Sequence, residues 1–451
     1  MKIVILGAGS IGGSVANELS TEENDVIVID NNQENLDSLN SKEGILTIHG
    51  NASSPATLSK ANLDKNTLLL CLTDSEEVNL LSSIVARSSF EVGRIVCRLI
   101  GSDYQGVAEE IASEVDYFIN PEDLITEEIR ELLHHPGSLE ILDFVENRLK
   151  LVSVYAKESG LLVGRQIKEL KDHLPDYETR IPAIYRGEEL IMPTGETVIE
   201  EDDEVYFVAD EKHIEQVTRE LQKLEDRYKN IYIAGCGNIG KLLANKIFEE
   251  FNVKVIEKDQ KRCEDAAEEL DNILILNADA ADKDFLSSEG IDDCDVFIAV
   301  TQDDETNVLC SLMAKKLGAK KTIIIVNNYT YINILPKNFV DIALSPQRLT
   351  VSMVLQHLAK GDVPQEVIFK MASGAEAIEG IIHKNKFTEN FFDKPISELP
   401  LPENCVIAAA IRGEEIFMHA KDLLLKPSDK IIVFILGKTD KEKIENLFLE
   451  D

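Results

Sequence analysis

The sequence predicts an α/β protein made by tandem duplication: two Rossmann-like, doubly wound parallel sheets, each followed by a small α+β module. Three observations lead there. First, the glycine loop Gly7-Ala-Gly9-Ser10-Ile11-Gly12 returns 228 residues later as Gly235-Cys-Gly237-Asn238-Ile239-Gly240. Second, the same spacing carries Thr73-Asp-Ser-Glu-Glu77-Val-Asn79 onto Thr301-Gln-Asp-Asp-Glu305-Thr-Asn307, and Gly50-Asn51-Ala52 onto Ala278-Asp279-Ala280. Third, near-continuous apolar, β-branched runs alternate with amphipathic segments of crossover length, the pattern of parallel strands covered on both faces.

Taken in order, the runs at 2–6, 25–29, 45–48, 67–72 and 94–97 are expected to be central strands of the first sheet. Segments such as 11–19 and 78–87 supply the helices between them. A second set at 230–234, 253–256, 273–276, 296–300 and 322–326 repeats the order. After each sheet a helix opens on a proline, 121–133 and 346–358, where the missing N–H costs nothing. The repeat continues into the modules that follow. Asp116 to Asn120-Pro121 pairs with Asp341 to Ser345-Pro346, Arg186-Gly-Glu-Glu189 with Arg412-Gly-Glu-Glu415, and Asp203 with Asp429, at spacings of 225 or 226. The expected division is therefore 1–120, a connector at 121–150, 151–228, then 229–345, a connector at 346–365, and 366–451. The connector helices carry apolar faces such as Leu124, Ile125, Ile129 and Leu132, whose burial predicts an oligomer.

Composition excludes several roles. Lys and Arg total 46 against 82 Asp and Glu, a formal charge of −36 that repels phosphate backbones and anionic headgroups. Neither nucleic-acid binding nor direct membrane adhesion is expected. Apolar runs such as 67–72, 295–300 and 431–436 are short and fall far below the roughly 20 residues that span a bilayer. The first residues run straight into a glycine loop without a charged leader and apolar stretch, so a cytoplasmic location is expected. Seven cysteines contain no CxxC pair, and the histidines show no helical i, i+4 pairing, so neither disulfides nor a metal site is predicted.

The chemistry lies in the glycine loops. Gly-x-Gly-x-x-Gly between a strand and a helix turns the backbone tightly and brings it close to a pyrophosphate; the helix N-terminus then faces the negative charge. Each loop is followed by an acid at the end of the next strand, Asp30 or Glu257, 18 and 17 residues beyond the third glycine. A carboxylate there accepts both ribose hydroxyls and repels a 2′-phosphate, so NAD or another adenine nucleotide is expected rather than NADP. The structural alternative is a glycine turn that only packs helix on strand. Asn51 and Asp279, followed by Ala52 and Ala280, either reach the adenosine or cap a turn. Thr73 and Thr301 either face the ligand or cap the next helix, while Glu77, Glu305, Asn79 and Asn307 are placed at the cleft mouth. Arg98 ends the fifth strand, where it can touch a phosphate; its counterpart is Ile325, so the first cleft is the better phosphate binder. Cys236 reads as a packing residue or a thiol near the ligand.

The order glycine loop, acid, Gly/Ala-Asn/Asp-Ala, Thr-x3-Glu-x-Asn and small α+β module resembles the RCK or KTN (regulator of potassium conductance) family. Two such units in one chain resemble the peripheral subunits of bacterial Trk potassium uptake systems, most specifically through residues 300–307 and 314–319. The resemblance implies NAD(H), or ATP and ADP, in the glycine-loop domains, held by Gly7, Gly9, Gly12, Asp30, Asn51, Thr73, Arg98 and their second-copy counterparts. It also implies a homo-tetramer whose eight units form a ring, docked on a TrkH- or TrkG-type potassium-translocating membrane subunit. A regulatory subunit needs binding sites and a bistable assembly, but no nucleophile or proton relay. The alternative, an NAD-dependent oxidoreductase, needs a substrate domain with an acid or base beside the nicotinamide, and the small modules offer no candidate His or Lys at element ends. A scaffold with degenerate glycine turns would bind no nucleotide.

Overall fold

The computed structural model describes residues 1–20, 24–39, 44–100, 110, 114–145, 147–175, 177–187, 189–224, 227–327, 339–358, 367–370, 375–385, 387–402, 404–418, 421–436, 444 and 446–448. Four sheets follow one another along the chain. The first holds β1 (Lys2–Leu6), β2 (Asp25–Asp30), β3 (Ile45–His49), β4 (Thr67–Cys71), β5 (Arg94–Arg98) and β6 (Tyr117–Ile119), in the spatial order β3-β2-β1-β4-β5-β6 with every pair parallel. The second is a five-stranded antiparallel sheet of β7 (Ser138–Phe144), β8 (Leu149–Tyr155), β9 (Thr179–Arg186), β10 (Glu189–Ile191) and β11 (Glu204–Asp210). The third repeats the first with β12 (Asn230–Ala234), β13 (Asn252–Glu257), β14 (Leu274–Asn277), β15 (Val296–Ala299), β16 (Lys321–Ile325) and β17 (Ile342–Leu344). The fourth repeats the second with β18 (Val367–Lys370), β19 (Glu376–Ile381), β20 (Cys405–Arg412), β21 (Glu415–Phe417) and β22 (Lys430–Ile435).

The apolar runs at 2–6 and 67–72 are central because both faces of β1 and β4 are covered: Ile3, Val4, Ile5, Leu6, Leu69 and Leu70 are all buried. Three expectations need correction. β3 and β14 are edge strands rather than central ones, and Leu46 and Leu274 stand at least half exposed at equivalent positions. Each parallel sheet also has a sixth strand, β6 or β17, whose three residues are too few to show a period. Residues 138–144, expected in the first connector, form β7 and pair with β8, so the antiparallel sheet begins before residue 151.

The four modules group as two compact units, residues 1–127 with 229–354 and residues 128–228 with 355–451. Two of the three dividing points fall inside the connector helices, Pro121–His134 and Pro346–Leu358. Within the first unit each glycine-loop helix meets the other half's connector. Lys246, on the helix Asn238–Ile247, places Nζ 2.8 Å from Asp123 Oδ1 and 3.1 Å from Glu127 Oε2. Ser14, on the helix Ser10–Leu19, donates to Gln347 at 3.4 Å. Within the second unit the two antiparallel sheets share one core, in which Phe144, Leu151 and Tyr206 pack with Ala377, Ile432 and Phe434. The Val145 N–H also donates to Glu379 at 2.8 Å.

The connector face predicted to need a partner subunit is largely covered already: Ile125, Ile129 and Leu132 are buried within the chain and Leu124 is partly buried. That face gives no reason for an oligomer. Among the described residues, no helix is long and apolar enough to cross a membrane.

In the antiparallel modules the repeated Arg and Asp form a clip. Arg186 Nε and Nη2 donate to the two oxygens of buried Asp203 at 2.7 Å, and Arg412 grips Asp429 at 2.8 and 2.7 Å. The repeat there marks a shared bidentate pair.

Candidate functional site: two glycine-loop clefts

Each glycine loop leaves the first strand of a parallel sheet where the strand order reverses, the place at which open α/β sheets bind ligands. The three glycines have three different reasons. Gly7 takes φ +98° and Gly235 φ +106°, left-handed conformations that favour glycine and turn the chain out of the sheet. A Cβ on Gly12 would lie 2.0 Å from the Gly7 carbonyl oxygen, and one on Gly240 would lie 2.0 Å from that of Gly235, so the third glycine is set by helix-on-loop contact. The second glycine is open. A Cβ on Gly237 would meet nothing within 4 Å, and one on Gly9 only Asp74 Oδ2 at 3.6 Å. Packing does not require glycine there, whereas a close-approaching pyrophosphate does.

The helices begin at Ser10 and Asn238, both exposed, and no side chain caps either first turn. Their early N–H groups are thus available to an anion. Ile11 is buried and Ile239 partly so; both anchor the helix, so only their backbone can serve a ligand.

The two acids end their strands as expected and also bind the loops themselves. Asp30 Oδ2 accepts the Ala8 N–H at 2.5 Å and Oδ1 the Asn32 N–H at 2.7 Å. Glu257 accepts from Cys236 N and Asp259 N, each at 2.9 Å. A carboxylate has about four lone-pair positions, so each acid clamps its loop and retains capacity for ribose hydroxyls. The Cys236 thiol is buried, which pushes it up to about 11, and it packs in the loop.

Several predicted residues sit elsewhere or do something else. Asn51 is exposed and its Oδ1 accepts from the N–H and hydroxyl of Ser53, a local turn. Asp279 closes the equivalent turn onto Ala281, and the hydrogen bond from Lys258 at 2.8 Å is the chief reason its carboxyl lies below the usual range. Ala52 and Ala280 are buried core residues. The caps of the helices Glu76–Phe90 and Asp304–Leu317 are Ser75 and Asp303, not Thr73 and Thr301.

Asn79 and Asn307 are fully buried rather than at the cleft mouth. Asn79 Oδ1 accepts from the N–H and hydroxyl of Thr73 at 3.0 and 2.7 Å, and its amide donates to the carbonyls of Thr73 and Arg98, both at 3.0 Å. Asn307 makes the same four bonds to Thr301 and Ile325. The Thr–Asn pair therefore stitches the fourth strand's exit to the end of the fifth, and Thr73 and Thr301 are held in place beside the glycine turn. Glu77 is exposed and accepts from the Ser75 hydroxyl at 2.8 Å.

Arg98 stands at the end of β5 with only 9% of its side chain exposed. Its Nη1 donates to Asp74 Oδ1 at 2.8 Å, and its Nη2 lies 4.0 Å from Glu122 Oε1, too far for a hydrogen bond. Burial is the chief cause of the rise of the Glu122 carboxyl above its ordinary value. Asp74 had no place in the sequence reading; its only signal there is that the aligned residue in the second half is the neutral Gln302. Among the described residues, no group of three or more His, Cys, Asp or Glu could hold a metal ion.

The TrkA-N domain model matches residues 3–121 and again 231–346, the two parallel-sheet modules, and the TrkA-C domain model matches 151–222. Over 99% of its length the chain is 37% identical to the Trk system potassium uptake protein TrkA of Vibrio alginolyticus, covering 98% of that protein. The chain belongs to the TrkA family. The corresponding protein of Halomonas elongata is also 37% identical over 99% of this chain and 98% of its own length, and the Methanosarcina mazei TrkA homolog 1 is 30% identical over 99% and 100%. Among solved structures, the GsuK RCK domain superposes with a TM-score of 0.61 at 16% identity, covering 99% of this chain and 93% of that one. The GsuK channel bound to NAD gives 0.63 at 15% identity, covering 99% and 78%. At those identities the likeness is one of fold: the TrkA-family chain carries tandem RCK units.

Proposed function

We propose that this TrkA-family chain is a nucleotide-sensing regulatory subunit that gates a TrkH- or TrkG-type potassium-translocating membrane partner. NAD(H) is the expected occupant of the two clefts, with ATP or ADP as alternatives. The observation that carries the reading is the pair of second glycines, Gly9 and Gly237, open where packing would accept a side chain and each followed by a strand-end carboxylate. The names of the relatives and the NAD-bound neighbour of the same fold support it.

In this reading the modules at 1–120 and 229–345 bind ligand, those at 151–228 and 366–451 are the RCK C-terminal subdomains, and the connector helices carry the response. The ligand is held through Gly9, the first helical turn and Asp30 in the first cleft, and through Gly237 and Glu257 in the second. NAD would bring hydride chemistry, but the assigned residues bind and orient and no acid–base pair is needed. The role is regulation rather than turnover, at the inner face of the membrane through the partner. A ligand gates only by differential affinity for two ring states, and about 1.4 kcal/mol per site is tenfold, so cooperating sites multiply to a large shift.

The ring is read as a homo-tetramer of eight units. Its support is the pair of half-exposed leucines at equivalent positions on the helices Glu76–Phe90 and Asp304–Leu317, Leu81 and Leu309. Light scattering should give a mass four times that of the chain; a single-chain mass removes the ring.

Potassium flux through a reconstituted TrkH-type channel, with and without this protein, is expected to depend on the protein and to differ among ATP, ADP and NADH. Flux indifferent to the protein and to every nucleotide would refute the regulatory role.

A further inference from the structure

We propose that Asp74 is a built-in competitor in the first cleft: its carboxylate occupies the place of a ligand phosphate on Arg98, and a nucleotide di- or triphosphate enters by displacing it. The proposal rests on the nucleotide reading above and assigns how that one cleft is regulated.

The two oxygens of Asp74 face two parts of the site. Oδ1 accepts from Arg98 Nη1 at 2.8 Å, while Oδ2 lies 3.6 Å from where a Cβ on Gly9 would stand. The space over the second glycine is where a pyrophosphate must approach the backbone, so the carboxylate lies on the phosphate track. The partners differ in freedom. The Asp74 side chain is 86% exposed and swings out at little cost, because an exposed ion pair contributes little. Arg98 is nine-tenths buried at a strand end, and its Nε is buried without an acceptor among the described residues. A fixed guanidinium with an unused donor favours an anion with more acceptor oxygens than a carboxylate supplies, and a phosphate has them. Glu122 does not fill that need: it stands 4.0 Å away, and burial disfavours its charged form.

The second cleft lacks both members at once. Gln302 replaces Asp74, Ile325 replaces Arg98, and Gly237 has nothing over it. The first cleft is thus guarded and the second open, and only the first should grade ligands by phosphate charge.

The test is calorimetric titration of the full chain carrying Gly237→Val, which closes the second cleft, with adenosine, ADP and ATP. Adding Asp74→Asn is expected to tighten ADP and ATP about threefold to fivefold, since a carboxylate no longer competes for Arg98 or repels the incoming phosphate, and to leave adenosine unchanged within about 1.5-fold. Asp74→Ala should match Asp74→Asn, and Arg98→Gln should weaken ATP. If the chain with Asp74 intact binds ATP and Asp74→Asn leaves that affinity unchanged or weaker, the competitor role is overturned while the nucleotide reading stands. If neither form binds any of the three, the competitor role falls, and if NADH titrated in the same way also fails to bind, the nucleotide reading falls with it.

Discussion

Gly12→Ala is expected to break the first glycine turn, whereas the bulkier Gly9→Val keeps the fold and abolishes ligand binding at that cleft. The new methyl at residue 12 would stand 2.0 Å from the Gly7 carbonyl oxygen and 3.0 Å from its carbon. Both are backbone atoms of a turn held at φ +98° and tied to β2 by the Gly7 N–H to Ile29 carbonyl bond of 2.8 Å, so they cannot yield without reopening the loop. Overpacking of this kind costs about 3 kcal/mol or more. Gly240→Ala should behave alike, because its Cβ would meet the Gly235 oxygen at the same 2.0 Å. Valine at 237 enters open space, and valine at 9 meets only the exposed, movable Asp74 side chain, so either one obstructs chiefly the approach of a pyrophosphate. Urea unfolding and nucleotide titration on the same preparations separate the two effects. An unchanged unfolding midpoint for Gly12→Ala refutes the packing role, and retained ATP binding by the Gly9→Val/Gly237→Val double variant takes the glycine loops out of the site.

Asp30→Ala should lose nucleotide affinity and stability together. From its place at the strand end this carboxylate is expected to hold the ribose hydroxyls; the structure adds a second task, since its oxygens accept the buried Ala8 N–H and the Asn32 N–H. Charge-assisted hydrogen bonds are worth about 1.5 to 3 kcal/mol each, so removing both is expected to cost about 2 to 4 kcal/mol after relaxation of the loop. The same change removes the repulsion of a 2′-phosphate, so NADP should gain on NAD in relative affinity even as both weaken. Denaturant unfolding together with titration of NADH and NADPH provides the readout. Loss of stability with undiminished affinity would make Asp30 a loop clamp alone, and loss of affinity at full stability would make it a ribose ligand alone.

The glycines, the strand-end acids and the duplication were legible without coordinates because each is a local demand. A left-handed turn favours glycine, a helix start at van der Waals distance from a carbonyl admits only glycine, and a buried parallel strand is apolar over consecutive residues. Such demands act on the residue itself, so they leave a residue-type signature, and repeating the fold repeats the signature. The roles that the sequence does not reveal depend on partners far along the chain. Asn79 binds Arg98, 19 residues on, and Asp74 binds the same arginine 24 residues on. Ala52 faces the core, and Ile125 and Ile129 are covered by the chain's own packing. A polar residue placed one position after a strand carries the same letter whether it caps a helix, stitches two strands or waits on a ligand.

What the sequence alone determined is the duplicated α/β architecture and the two glycine turns, because local sterics specify them. What only the tertiary structure decided is the pairing of like modules into two units, with each glycine-loop helix meeting the other half's connector, and the contrast between a second glycine faced by Asp74 in the first half and by nothing within 4 Å in the other. Those depend on side chains brought together by packing across long stretches of chain, and no periodicity in the sequence encodes such a meeting.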